Sequence, residues 1–204
     1  MKVIVLASRK GGVSKSTLAA HLSVEAGDKV AVIDTDPQAT LADWWNEREL
    51  PTPAFVATTI PDLSRTLKDL EKQGFRYVFI DTPPRISGDL VEVVRHAHLA
   101  LIPVRPSPND LRAVGITVDL IEPTGTPFIF VVSSATKRAR LTSEAAIALS
   151  QHGKVAPSII GHRQDFAASM IDGRTAGELN PKSRSAEEIS ELWDYLKRQL
   201  SRQK

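Results

Sequence analysis

Short apolar runs alternate along this chain with stretches of helical composition. Val3 to Ala7, Lys29 to Ile33, Ala54 to Ala57, Tyr77 to Ile80, Leu99 to Val104 and Phe128 to Val132 read as strands, and the Ala/Leu-rich stretch Leu18 to Ala26 reads as a helix. Such alternation predicts an α/β fold: a mostly parallel twisted sheet with helices on both faces. A chain of 204 residues with 42% apolar content can bury a real core, so residues 1–204 are expected to form a single domain. No repeat, low-complexity tract or linker divides it. Pro103 to Pro108 has the length of a loop, in which proline fixes φ and withholds N–H donors; a shaped rim is expected there.

The last helical pattern, Ser185 to Ser201, places Ile189, Leu192, Trp193, Leu196 and Leu200 on one stripe. That stripe could anchor the chain at a membrane surface or face the core. Glu187, Glu188, Glu191 and Asp194 in its first half would be repelled by anionic lipid, and Lys197, Arg198, Arg202 and Lys204 come only at the tail, so the core-facing role is expected. Ser185 with Glu188 fits a capping box at its start. Trp44 and Trp45 suit packing or a subunit contact better than base stacking. His21, His96, His98, His152 and His162 show no metal-ligand spacing, and surface or cap roles suffice for them. The chain has no cysteine, which excludes disulfides, thiolate metal sites and iron–sulfur clusters. It enters a strand at once and has no long apolar segment, so a cytoplasmic location is expected, without a leader, a membrane span or an upstream helix-turn-helix.

The candidate chemistry begins where the first strand ends. Lys10-Gly11-Gly12-Val13-Ser14-Lys15-Ser16-Thr17 lies between an apolar run and a helix, the context of a phosphate-binding loop. Two glycines let backbone N–H groups converge on an anion, and the helix start adds partial positive charge. Lys15 supplies an ammonium and Ser16 a hydroxyl for Mg²⁺. Two further strand ends are acidic: Asp34-Thr35-Asp36-Pro37-Gln38 and Asp81-Thr82-Pro83-Pro84. In an open parallel sheet ligands bind beyond the carboxyl ends of the strands, where such carboxylates can hold a metal-bound water. The competing role for Asp34 and Asp36 is to begin a turn and cap the next helix.

The spacing of Lys10 and Lys15 resembles the deviant phosphate loop of the ParA/MinD family of P-loop ATPases, KGGxGK[ST]. DTDPQ is similar to that family's switch I segment and IDTPP to its Walker B and switch II segment. Leu101 to Gly115 resembles a proline-containing segment of short partition ATPases. The resemblance implies ATP and Mg²⁺ as ligands, with Lys15 on the β- and γ-phosphates, Ser16 on the metal, Thr17 at the α-phosphate and Gly11 to Lys15 offering loop amides. It implies that Asp34 and Asp81 hold the metal's water shell, that Asp36 orients or deprotonates the attacking water, and that Lys10 reaches a partner subunit's nucleotide. Ser14 stands where the family has glycine. If positive φ is required there, a side chain costs roughly 1–2 kcal/mol, enough to weaken binding or slow hydrolysis. Ser133-Ser134 stands where many relatives place an asparagine near the base.

From Lys137 to Arg184 the chain carries eight basic residues, Lys137, Arg138, Arg140, Lys154, Arg163, Arg174, Lys182 and Arg184, against Glu144, Asp165, Asp172 and Glu178. This net +4 exceeds the whole chain's +2. Clustered cations can neutralise DNA phosphates without reading sequence, and scattered ones are an ordinary solvated surface. The resemblance implies the former: a slow ATPase, stimulated by DNA and a ParB-like adaptor, whose ATP-bound homodimer binds nucleoid DNA nonspecifically. Such a protein positions a plasmid, chromosome or protein complex. The alternatives of the same fold are a MinD-like membrane-associated ATPase, a small-molecule ligase resembling dethiobiotin synthetases, and a nucleotide-binding module with negligible turnover.

Overall fold

Each core strand is apolar on both faces because both are covered. In the first strand Ile4 and Leu6 enter one hydrophobic cluster while Val3, Val5 and Ala7 enter the other, and in the second Val30 and Val32 part in the same way from Ala31 and Ile33. The computed structural model describes residues 1–84, 88–136 and 139–202. The chain runs β1 (Lys2–Leu6), α1 (Lys15–Glu25), β2 (Val30–Asp34), α2 (Thr40–Asn46), β3 (Ala54–Phe55), α3 (Leu63–Lys72), β4 (Tyr77–Asp81) and α4 (Gly88–Arg95). It continues through β5 (Leu99–Val104), α5 (Pro108–Ile121), β6 (Phe128–Val132), α6 (Arg140–Ser150), β7 (Lys154–Val155), α7 (Gln164–Ser169), α8 (Ala176–Leu179) and α9 (Arg184–Ser201).

Seven parallel strands form one sheet in the order β3-β2-β4-β1-β5-β6-β7. Side chains of α1, α2, α7, α8 and α9 pack on one face, and those of α3, α4, α5 and α6 on the other. The sheet with helices on both faces is therefore as predicted, with differences at several elements. β7, only two residues long, carries too short a pattern to be seen in sequence. Lys29 is left out of β2 because its backbone is left-handed, φ 59. Pro103 lies inside β5 rather than in a loop. Its missing N–H is tolerated because β1 pairing has already stopped at Leu101.

α9 buries Ile189, Leu192, Trp193, Leu196 and Leu200, as the core-facing role requires. The expected cap is displaced by two residues: the Ser183 hydroxyl accepts from the Ala186 N–H at 3.1 Å, making Ser183 the N-cap. Ser185 instead donates to Asp165 at 2.8 Å, and Glu188 accepts from the Gly161 N–H at 2.9 Å. Tertiary partners thus take both members of the expected box, while Thr175 and Glu178 form a true one at α8. Among the described residues no helix is long and apolar enough to cross a membrane.

His21 is buried and departs from a surface role. On α1 its Nε2 accepts the Ala176 N–H at 3.0 Å, so Nδ1 carries the proton and donates to the Thr17 carbonyl at 2.8 Å. The ring joins the helix that follows the glycine loop to the start of α8. Burial pushes its pKa from 6.5 down to about 4. The unfolded imidazole takes up a proton below 6.5 and the folded one does not, so this contribution to stability is present above pH 6.5 and is lost as pH falls toward 4. Burial pushes Asp81 the other way, up to about 7, so Asp81 titrates with opposite sign in the same window. Comparing wild type with His21→Gln cancels Asp81. In urea denaturation the wild type should lose about 3 kcal/mol relative to the variant between pH 7 and pH 4, and a pH-independent difference would contradict this linkage.

Candidate functional site

β1 ends beside β4 and β5 at the centre of the sheet, where the connections part to opposite sides, so the loop after it opens into the crevice at the carboxyl ends of the strands. Gly12 takes φ +72, a conformation glycine adopts without strain, and the chain enters α1 at Lys15. Lys15 is only 7% exposed and its Nζ donates to the Lys10 carbonyl at 3.5 Å. Burial holds its pKa below the ordinary lysine value, with Asp81 and Asp36 pulling upward. The structure brings these three groups to one place. Lys10 is exposed, and its ammonium makes no hydrogen bond or ion pair among the described residues.

Asp34 and Asp81 are register partners at the ends of β2 and β4. Asp81 is fully buried, and its carboxylate accepts from the Ser16 hydroxyl and from the Thr82 N–H. Burial raises its pKa, and the neighbouring Asp34 charge adds to the rise. Asp34 does cap a helix: one carboxylate oxygen accepts the Leu41 and Ala42 N–H groups of α2 at 3.0 Å, and the other accepts the Asp36 N–H at 2.9 Å. Asp36 begins the turn, with Oδ1 accepting from Gln38 at 3.0 Å and Oδ2 unpartnered among the described residues. The Ser16–Asp81 pair fits Mg²⁺, which takes few protein oxygens and completes its shell with water and phosphates. Among the described residues no group of three or more His, Cys, Asp or Glu could hold a metal unaided.

Ser14 does adopt the left-handed backbone, φ 72 and ψ 28, so the strain its side chain implies is present. What holds it there is the far side of the crevice. The Ser14 and Ser134 hydroxyls are 3.0 Å apart, and the Ser133 hydroxyl donates to the Val13 carbonyl at 2.9 Å. Two serines at the end of β6 thus brace the loop. Ser134 is itself left-handed, φ 48.

Beside this brace lies a cavity of about 180 Å³ between apolar Leu18, Ile160, Phe166 and Met170 and polar Thr17, His162 and Arg163. On the Ile160 to Met170 side of it the sequence singled out only Arg163, and that as a cation for DNA. The only local signal for that side is that Gly161-His162-Arg163 follows the last short edge strand, at the same end of the sheet as the glycine loop.

The basic residues divide. Lys137 and Arg138 lie outside the described residues. Arg163 and Arg184 converge on the nearly buried Glu188, at 2.7 and 3.7 Å. Arg140 and Arg174 make exposed pairs with Glu144 and Asp172 at 2.7 and 2.5 Å, and Arg184 also meets Glu187 at 2.5 Å. Lys154 donates to Gln199 at 3.3 Å, and the Lys182 ammonium has no partner among the described residues. Exposed pairs are weak and can exchange a carboxylate for a phosphate, whereas Arg163 is committed to a buried charge.

The family model for the CobQ/CobB/MinD/ParA nucleotide binding domain matches residues 4–176. A protein named for maintenance of carboxysome distribution from Gloeobacter kilaueensis is 35% identical over 131 residues, 61% of this chain and 59% of that protein. Its namesake from Halothiobacillus neapolitanus is 25% identical over 93% of each chain. Among solved structures, the cell division ATPase MinD of Pyrococcus furiosus superposes with a TM-score of 0.81 at 19% identity, covering 97% of this chain and 99% of that one, which establishes the shared fold.

Proposed function

Because the chain belongs to the CobQ/CobB/MinD/ParA nucleotide-binding family, we propose that it is a Mg²⁺-dependent ATPase whose ATP-bound homodimer holds nonspecific DNA and positions a cargo until hydrolysis releases it. The observation that carries this reading is the Lys10–Thr17 loop, with Lys15 buried at the start of α1 and Ser16 hydrogen-bonded to the buried Asp81. The loop amides and Lys15 bind the phosphate chain, Thr17 lies toward the α-phosphate, and the neighbouring cavity takes the base or ribose. Ser16 would ligate Mg²⁺ directly, while Asp81, with Asp34 beside it, would hold the ion's water shell. When bound, the metal would supply charge neutralisation for the phosphate chain.

Asp36 is positioned by the Asp34 carboxylate, and its Oδ2, unpartnered among the described residues, would be the acceptor that orients the attacking water. The exposed Lys10 is free to reach a second subunit's phosphates, which makes pairing depend on the γ-phosphate. Lys182, Arg140, Arg174 and Arg184 are the described cations best able to meet DNA phosphates. Carboxysome distribution, in the names of two relatives, and ParA, the name of a third from Rhizobium radiobacter, support a positioning role. A cargo-bound, ParB-like adaptor would stimulate turnover. The buried stripe of α9 supports DNA over a membrane as the surface that is bound.

Two variants should part in opposite directions. With ATP present, Lys10→Ala should stay monomeric and leave DNA, whereas Asp36→Ala should remain paired and be retained on it. Monomeric behaviour in both, with unchanged turnover, would contradict the mechanism. The readouts are light-scattering mass, filter retention and phosphate release.

A further inference from the structure

Arg105 follows the end of β5, the strand beside β1, and belongs to a segment in which no individual site residue was picked out from sequence. It is held from below. Asp110, 2% exposed in the first turn of α5, accepts from its Nε at 2.7 Å and from its Nη2 at 3.4 Å. Asp110 is fixed in turn: its N–H donates to the Ser107 cap at 3.2 Å, and Pro108 opens the helix. Two of the three guanidinium nitrogens are therefore engaged. Nη1 has no hydrogen bond among the described residues, and it stands 3.7 Å from the position a Cβ on Gly12 would take. An oriented guanidinium with a spare nitrogen thus flanks the glycine limb of an anion-binding loop, the limb that also carries Lys10. Guanidinium geometry suits a phosphate, and a tethered arginine loses little freedom on meeting one.

We propose that Arg105 is a phosphate-binding residue of this site, reading the terminal phosphate of the nucleotide held in its own Lys10–Thr17 loop. Asp110 aims it. The inference rests on the ATP-binding reading above and adds a cation that the loop itself does not supply. The rival role is structural: Arg105 as counter-charge for a buried carboxylate and nothing more.

Calorimetric titration with Mg²⁺ and either the slowly hydrolysed analogue ATPγS or ADP separates the two. Arg105→Gln should weaken ATPγS about tenfold and ADP less than threefold, with Arg105→Lys in between. Arg105→Gln leaves Asp110 without its partner and could misfold, so the double variant Arg105→Gln/Asp110→Asn carries the decision. It should regain the wild-type melting temperature but not the affinity for ATPγS. Recovery of that affinity, or equal loss for ATPγS and ADP, overturns the assignment of Arg105. Wild-type protein that binds neither nucleotide contradicts the ATP-binding reading, and this inference with it.

Discussion

Lys15→Ala should lower ATP affinity by at least about a hundredfold while leaving the protein folded. The reason is the position of this ammonium rather than its charge alone. Lys15 is almost wholly buried at the first position of α1, and the hydrogen bond its ammonium donates to the Lys10 carbonyl is a long 3.5 Å. Burial disfavours its charged form, and the carboxylates of Asp81 and Asp36 offset that only in part. A phosphate chain in the loop would give the ammonium an opposite charge at short range in a partly dehydrated site, where such contacts are strong. Removing it leaves Asp81 more exposed to its Asp34 neighbour, so thermal stability should be measured beside affinity. Unchanged ATP binding by a folded variant would move the phosphate site away from this loop.

Gly173→Ala should cost at least about 4 kcal/mol in urea denaturation, a large share of the 5–15 kcal/mol typical of a domain. Gly173 has φ +71, and a Cβ there would lie 2.4 Å from both the N and the Cα of Arg48, too close for real atoms. Left-handed alanine alone costs about 1–2 kcal/mol. The remainder comes from prising apart what Arg48 holds together. Its buried side chain donates through Nη1 to the Gly173 carbonyl at 2.6 Å and to Glu178 at 2.9 Å, and through Nη2 to the other Glu178 oxygen at 2.6 Å. The guanidinium also lies over Trp44, at 5.2 Å from the ring centroid, and the Trp44 indole donates to the Arg174 carbonyl at 3.0 Å. A broken buried pair of this kind costs about 3–5 kcal/mol. A loss below about 1 kcal/mol would mean that the backbone yields and the clamp is loose. The clamp joins α2, which Asp34 caps, to the segment bearing Arg174, so the acid cluster and one candidate DNA contact share a rigid support.

The parts legible in sequence are those set by short-range pattern. Buried parallel strands announce themselves as apolar runs, and the glycine loop between a strand and a helix marks the phosphate-binding candidate. Even the conformation of Ser14 was foreseeable as a condition on its position. What sequence hides is the choice of partner across distance. The Ser185–Glu188 pattern is a good capping box locally, yet Glu188 is drawn to Gly161 and Arg163 instead. The net charge of the Lys137 to Arg184 span overstates its free cations, because Glu187 and Glu188, which pair with Arg184 and Arg163, lie just beyond its end. His21 looks like any helix histidine until Ala176, far along the chain, is seen to donate to it. Ser133 and Ser134, which stand where many relatives place an asparagine near the base, brace the loop instead. Arg105 lies in a proline-rich stretch that resembles a rim, and only the approach of Gly12 gives it a role.

The proposed nucleotide switch is tested most directly by retention of the purified wild-type protein on unrelated DNA sequences with ATP, ADP or no nucleotide, at low and moderate salt, with liposomes as a parallel surface. Retention that requires ATP, ignores sequence and falls steeply with salt is the predicted result. Retention on liposomes alone, or on neither surface with ATP bound, would contradict the account.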